Sequence, residues 1–266
     1  MSDYIIYIPT RGRVDHQPTY AFLSKLPGIG ENVFLVCRED EVDKHQEQGR
    51  QTITRPTDMP IQGVWEWMKN RTEHENFFIM DDDLCFFRRK APDDWHLRPC
   101  TLEDGVELIE TALNAIEPRG PWVHGTLSAR QGNNNQPAPY GQVGRANAFH
   151  FFNTAKLKDS GVDMSASGLH DIHTTLHLLR MGYPNYVITE FCWNQTKGSN
   201  APGGCSIYRD NQWQKEEVMK LKELHPDFVT VVEKQPKIGW GSGMKTRTDV
   251  RVGWVKAFKS SGGMKL

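Results

Sequence analysis

The stretch Asn76-Phe77-Phe78-Ile79-Met80-Asp81-Asp82-Asp83-Leu84 constrains the fold more than any other. Large apolar residues in unbroken succession read as a strand buried on both faces, the pattern of an open parallel sheet. Three carboxylates close the run, and in such sheets ligands bind just beyond the carboxyl ends of the strands. Alternation along an extended chain predicts that Asp81 and Asp83 share a side while Asp82 faces away. Carboxylates crowded on one side repel unless a hard divalent cation, or a metal carried by phosphate, lies between them. A solvated acidic turn is the plain alternative, since Asp favours turns. The apolar strand leading straight into the triplet favours a site.

The chain before this run alternates between strand and helix patterns. Asp3 to Ile8 reads as a buried strand stopped by Pro9-Thr10-Arg11-Gly12-Arg13, a loop suited to gripping a diphosphate, because Arg gives paired donors and Gly permits close approach. The loop lacks Walker spacing, and Gly28-Ile29-Gly30 lacks the third glycine of a dinucleotide fingerprint. Asn32 to Cys37 is a second strand, Arg38 to Gly49 a polar helix, Gln51 to Thr54 a third strand, and residues 61–74 a helix with apolar positions 61, 64, 65 and 68. Such alternation with short connections specifies an α/β sheet flanked by helices.

Beyond the triplet, Cys85-Phe86-Phe87 begins a strand. Thr101-Leu-Glu-Asp is a capping-box pattern that opens a helix to about Ile116, ended by Pro118 and Gly120. Trp122 to Leu127 and Ala148 to Phe152 read as strands. Between them, residues 131–145 form an aperiodic loop of the length that functional loops have. Residues 170–182 carry helical spacing at Ile172, Leu176 and Leu179 and end at Gly182. Asp171 falls in the first turn of that helix, either as a cap on its dipole or as a base aimed into a cleft. His173 and His177 are spaced to share a metal, but no Glu follows the first as a metalloprotease needs, so zinc is not expected. Residues 185–193 are β-rich, Asn194 to Tyr208 reads as a glycine-rich flap, and Arg209 to His225 as an amphipathic helix with Trp213 on its apolar side. Phe228 to Val232 is a last strand.

With 266 residues the chain is expected to form one main domain, residues 1–235, with a basic extension at 236–266. That extension holds seven Lys or Arg against one acid, interleaved with Trp240, Trp254 and Phe258. A basic stripe with aromatics can track a phosphate backbone and stack on bases, and a Lys-rich tail that merely solubilises the protein is the equal alternative. No signal-like start and no apolar run near membrane length is present, so a cytoplasmic protein is expected, with no membrane partner. Five scattered cysteines without a Cys-x-x-Cys pair favour reduced thiols.

These pieces together resemble a GT-A-fold nucleotide-sugar glycosyltransferase. The resemblance rests on the strand ending Pro9-Thr10-Arg11-Gly12-Arg13, the strand ending Asp81-Asp82-Asp83, and the later Asp171 opening a helix that runs Leu-x-Leu-Leu-Arg-x-Gly-Tyr. The Ile-Pro-Thr-Arg-Gly-Arg start and the Ile-Met-Asp-Asp-Asp-Leu core look most like the phage TET-associated glycosyltransferases of hydroxymethylated DNA bases. The resemblance implies a GT-A-like domain with a mostly parallel central sheet, a donor half at about 1–90 and an acceptor half at about 91–235. It implies a donor site at Pro9, Thr10, Arg11, Arg13, Arg38, Asp81 and Asp82, with Asp81 and Asp83 holding Mn²⁺ or Mg²⁺ and Asp171 as catalytic base. The donor would be a UDP-sugar and the acceptor a base such as 5-hydroxymethylcytosine in bacteriophage DNA, placing the enzyme in the host cytoplasm. Tyr140, Arg145, His170, Trp240, Lys245, Arg247 and Arg251 are the acceptor candidates, Tyr140 or Trp240 stacking on a flipped base. The chain departs from the family pattern at His170, where an acid commonly precedes the base, and it leaves a third protein ligand to the metal unassigned. A glycan or lipid-linked acceptor, a nucleotidyltransferase using the same Asp pair, or an inactive nucleic-acid-binding module are the competing readings.

Overall fold

The computed structural model describes residues 3–116, 122–133, 135–136, 139–195, 203–204, 209–235 and 246–262. The opening strands are β1 (Tyr4–Pro9), β2 (Val33–Arg38), β3 (Thr52–Arg55) and β4 (Asn76–Met80), and the helices between them are α1 (Pro18–Leu23), α2 (Glu39–Gln46) and α3 (Ile61–Arg71). These four strands are parallel and adjacent, so their carboxyl ends gather at one edge. Period-2 alternation divides the core as the apolar runs require. Ile6, Ile8, Phe78 and Met80 enter one hydrophobic cluster, and Ile5, Tyr7, Phe77 and Ile79 enter the other.

The chain then adds the hairpin β5 (Leu84–Ala91) and β6 (Asp94–Pro99), helix α4 (Leu102–Ala115), β7 (His124–Ala129), α5 (Arg130–Asn133), β8 (Tyr140–Gln142), β9 (Phe149–Asn153), α6 (Thr154–Asp159), α7 (His170–Arg180) and β10 (Asn185–Gln195). The sheet order is β3-β2-β1-β4-β9-β7-β10-β5-β6, with β8 on β10. Among the described residues β1, β2, β3, β4, β6, β7 and β10 run one way and β5, β8 and β9 the other, a mostly parallel sheet. Helices α1 and α4 cover one face, and α3, α6 and part of α7 the other.

Two departures from the sequence reading have clear causes. The β5–β6 hairpin is longer than its apolar start because its cations are matched: Arg88 pairs with Asp104, Glu107 and Glu190, while buried Arg89 donates to Asn133 and to the Gln136 carbonyl. The same Asn133 donates to the Thr189 carbonyl, so the region read as an aperiodic loop is tied to the sheet and contains α5 and β8. Thr101 and Asp104 form the expected capping box.

The C-terminal part comprises α8 (Asn211–Leu224), β11 (Val229–Lys234), β12 (Arg247–Val252) and α9 (Trp254–Ser260). β12 pairs with β11, and Val250 and Ala257 join Ile172, Leu176, Leu179, Val218 and Leu221 in a third cluster. The described part of the basic extension is therefore packed on α7 and α8.

A polar chain, buried at His173 and His225 and exposed at Arg180, joins α7 to the end of α8. Arg180 Nη1 lies 3.1 Å from His225 Nδ1, His225 Nε2 lies 3.0 Å from His173 Nδ1, and His173 Nε2 lies 3.1 Å from the Asp163 carbonyl. Arginine only donates, so His225 accepts at Nδ1 and donates to His173, which donates to the carbonyl. That single proton arrangement keeps both rings neutral and leaves His173 no nitrogen for a metal. Burial pushes His173 down to about 4 and His225 down to about 3. Because both folded values lie below the ordinary histidine value, this contribution to stability is complete above about pH 6.5 and is lost as the pH falls toward 4. Thermal unfolding followed from pH 7 to pH 4.5 should therefore fall more steeply for the native chain than for a His173→Asn/His225→Asn variant; equal slopes would refute the linkage.

Candidate active site

The edge formed by the carboxyl ends of β1 to β4 carries the site. Here the strand ends at Met80 and Asp82 and Asp83 form a turn, so the alternation expected for the triplet does not continue. Thr19 fixes the turn, its hydroxyl donating to the Asp81 carbonyl at 2.7 Å and accepting from the Leu84 N–H at 2.8 Å. The Asp81 N–H donates to the Ala148 carbonyl at 2.8 Å.

The expectation that Asp82 faces away from a site on Asp81 and Asp83 is corrected in detail. Asp82 is 4% exposed and turns toward the β1 loop. Its Oδ2 accepts from Thr10 Oγ1 at 2.6 Å, and its Oδ1 lies 2.6 Å from Arg13 Nη1. Gln17 completes the connection by donating to Thr10 Oγ1 at 2.7 Å and to the Arg13 carbonyl at 3.0 Å. Arg13 also reaches Asp83 Oδ2 at 3.2 Å, and Gln195 Nε2 at the end of β10 lies 3.4 Å from Asp83 Oδ1. Asp83, 2% exposed, is raised by burial and then by Asp82, with Arg13 opposing.

Asp81 is different. It is partly exposed, and among the described residues its carboxylate accepts no hydrogen bond. Burial among its neighbours, then Asp83, Asp82 and Asp171, holds its carboxyl well above the usual range, with Arg209 opposing. Asp171 lies in the first turn of α7, and its charge is among those that raise Asp81. Behind it, Trp65 meets the rings of His150 and His170 edge-on at 4.8 and 4.5 Å. Burial pushes His170 down to about 4 and His150 down to about 3, so the floor under Asp171 is neutral. Carboxylates this crowded, one of them unpartnered, fit a hard divalent cation. Among the described residues no three metal-binding side chains converge.

A cleft of about 250 Å³ is lined by Arg11, from the same loop whose Arg13 meets Asp82, and by Arg38, Asp58, Gln62 and Trp213 among others. Gly204 donates to the Arg11 carbonyl at 2.7 Å. A Cβ on Gly203, whose φ is +88°, would approach Arg13 Cγ to 2.7 Å, so only glycine fits the described part of the flap against the β1 loop.

The structure does not bring every candidate together. Tyr140 stacks on Tyr186 at 4.5 Å in β8, four strand spacings from β4, roughly 19 Å at about 4.8 Å each. His170 is buried against Trp65, and Arg145 is exposed three residues before Ala148. Arg247 lies 2.5 Å from Asp249 on β12, Arg251 is exposed on the same strand, and Trp240 and Lys245 lie outside the described residues. Gln17, Thr19, Gln195, Arg209 and Trp213 were missed. Arg209 alone offered a signal, as a cation between a glycine-rich segment and the Asp210 cap of α8.

A family model described as TET-Associated Glycosyltransferase matches residues 4–204. The chain belongs to that family. This TET-associated glycosyltransferase matches no curated protein sequence. It does share its fold with glucosyl-3-phosphoglycerate synthase from Mycobacterium tuberculosis in complex with Mn²⁺, UDP-glucose and phosphoglyceric acid, at 8% identity and a TM-score of 0.53 over 92% of this chain and 89% of that one. Staphylococcus aureus TarS 1–349 in complex with UDP gives 13% identity and a TM-score of 0.50 over 84% of this chain and 65% of that one. The GT-A architecture and the glycosyltransferase class expected from the sequence both stand. Among the described residues, no helix of the glycosyltransferase is long and apolar enough to cross a membrane.

Proposed function

We propose that the enzyme transfers a sugar from a UDP-sugar to the hydroxyl of a hydroxymethylated pyrimidine in DNA, inverting the anomeric centre. The observation that carries this reading is the acidic turn at the carboxyl end of β4, where the Asp81 carboxylate accepts no hydrogen bond among the described residues and the β1 loop, with Arg11 and Arg13, packs against it. The two structural relatives bound to UDP or UDP-glucose support the donor, and the family description together with the exposed Arg251, Lys256 and Lys259 on the basic extension supports DNA.

Asp81 and Asp83 would hold Mn²⁺ or Mg²⁺. When bound, the ion supplies positive charge against the leaving diphosphate. Arg11 and Arg38 line the cleft where the nucleotide would lie, with donors suited to phosphate or to base carbonyls. Arg13, held by Asp82, keeps the β1 loop in place. Asp171 takes the proton of the acceptor hydroxyl as its oxygen bonds to the anomeric carbon and the bond to the diphosphate breaks, the electron pair leaving with the phosphate. No enzyme nucleophile intervenes, so one displacement inverts the centre, as in inverting hydrolases.

The test is release of nucleoside diphosphate from a panel of nucleotide sugars with Mn²⁺, with and without DNA containing 5-hydroxymethylcytosine. UDP release that requires both metal and modified DNA is expected, and it should fall steeply with added salt. Release indifferent to DNA would replace the acceptor with a glycan or lipid-linked one. Absence of release with every donor would overturn the enzymatic reading of this site.

A further inference from the structure

One face of α8 touches both halves of the chemistry. Trp213 lines the cleft beside Arg11 and Arg38, and the Arg209 guanidinium lies 5.2 Å from the centre of its ring. One turn later on the same helix face, Glu217 Oε2 accepts from the Gly168 N–H at 2.5 Å and from Ser167 Oγ at 3.3 Å. Ser167 Oγ in turn accepts from the Leu169 N–H at 3.1 Å, and the Gly168 carbonyl lies 3.2 Å from His170 Nδ1. These are the residues leading into the first turn of α7, where Asp171 sits. Gly168 has no spare room: a Cβ there would lie 2.6 Å from Trp213 Cζ2 and 2.8 Å from Glu217 Cδ.

We propose that Trp213 and Glu217 are positioning residues that link occupancy of the donor cleft to the aim of Asp171, Trp213 serving as the movable wall of the cleft and Glu217 as the clamp on the approach to α7. The inference rests on the donor reading above. An indole displaced by a bound nucleotide presses on the Gly168 segment, because nothing separates their surfaces. Glu217 fixes that segment through its backbone N–H, so the displacement is carried into the start of α7. A misplacement of about 1 Å can cost on the order of 10²-fold in rate, which is why a clamp that touches neither substrate matters here.

The experiment combines UDP binding in the presence of Mn²⁺ with steady-state kinetics. Gly168→Ala adds a methyl outside the cleft, yet it should weaken UDP binding about tenfold by moving the indole. Glu217→Ala should lower kcat by about 10²-fold with donor KM within about twofold. Glu217→Gln, which keeps an acceptor oxygen for Gly168, should recover most of that loss. A purely structural role predicts instead that both Glu217 variants lose folded protein alike and that kcat per folded molecule is unchanged. Native protein that binds no UDP overturns the donor reading and the link with it. Native binding with unaltered affinity in Gly168→Ala, or with kcat retained in Glu217→Ala, overturns the link alone, and the Glu217 pair decides if Gly168→Ala fails to fold.

Discussion

Asp171→Asn is expected to retain UDP binding in Mn²⁺ within about threefold and to lose about 10³-fold in turnover. The magnitude is that of a single positioned general base, typically about 10² to 10⁴. The amide keeps the shape of the side chain and its place in the first turn, forfeiting only the favourable interaction of a carboxylate with the helix dipole, about 0.5 kcal/mol. Folding is therefore not expected to limit the result. The surroundings make the role specific: Trp65, His150 and His170 form a neutral floor, so no other described anion behind Asp171 stands ready to accept the proton in its place. Loss of turnover accompanied by equal loss of UDP affinity would mean that Asp171 shapes the donor site instead. Turnover within tenfold of native would remove it as the base.

Much of this arrangement is legible in the sequence, and the parts that are not share a cause. The β4 run declared itself because both faces of the strand are buried, so no polar residue interrupts it. The helix beginning near Asp171 declared itself through Ile172, Leu176 and Leu179, which belong to one cluster. The direction of Asp82 did not, because alternation holds only while the chain stays extended, and Thr19, distant in sequence, ends the strand. The full β5–β6 hairpin was not legible past Phe87, because Arg88, Arg89 and Lys90 interrupt the apolar run and their partners, Asp104, Glu107 and Glu190 for Arg88, are distant in sequence. β12 and α9 hid in the same way, since Val250 and Ala257 are legible as core only against the faces of α7 and α8. Trp213 shows the limit of periodicity in a helix. Spacing placed it on the apolar side, and the fold turns that edge of α8 to the rim of a cleft, a distinction that depends on where α8 docks.

The acidic turn should also reveal itself through stability, in a direction opposite to most core substitutions. Asp81 is held well above the ordinary carboxyl range by burial first and by Asp83, Asp82 and Asp171 after it. A carboxyl whose folded pKa exceeds its unfolded value costs stability once ionised; the cost is complete above the folded pKa and vanishes as the pH falls to the unfolded value near 3.9. Asp81→Asn removes the charge and nearly preserves the shape. In EDTA at pH 7.5 it should unfold about 2–4 °C higher than the native chain, the shift that about 1 kcal/mol produces at this size, and the gain should shrink as the pH is lowered. Adding Mn²⁺ and UDP should reverse the order. Ligand at about 100 times its Kd stabilises the native chain by about 2.7 kcal/mol, and the variant, lacking a carboxylate to share the cation, should gain far less. The two melting curves therefore exchange places with the ligand. Lower stability of Asp81→Asn in EDTA would refute the crowding of the turn, and an equal gain from Mn²⁺ and UDP would refute Asp81 as a ligand. On the proposed reading, stability forgone by the free enzyme would be the physical reason the turn attracts a cation.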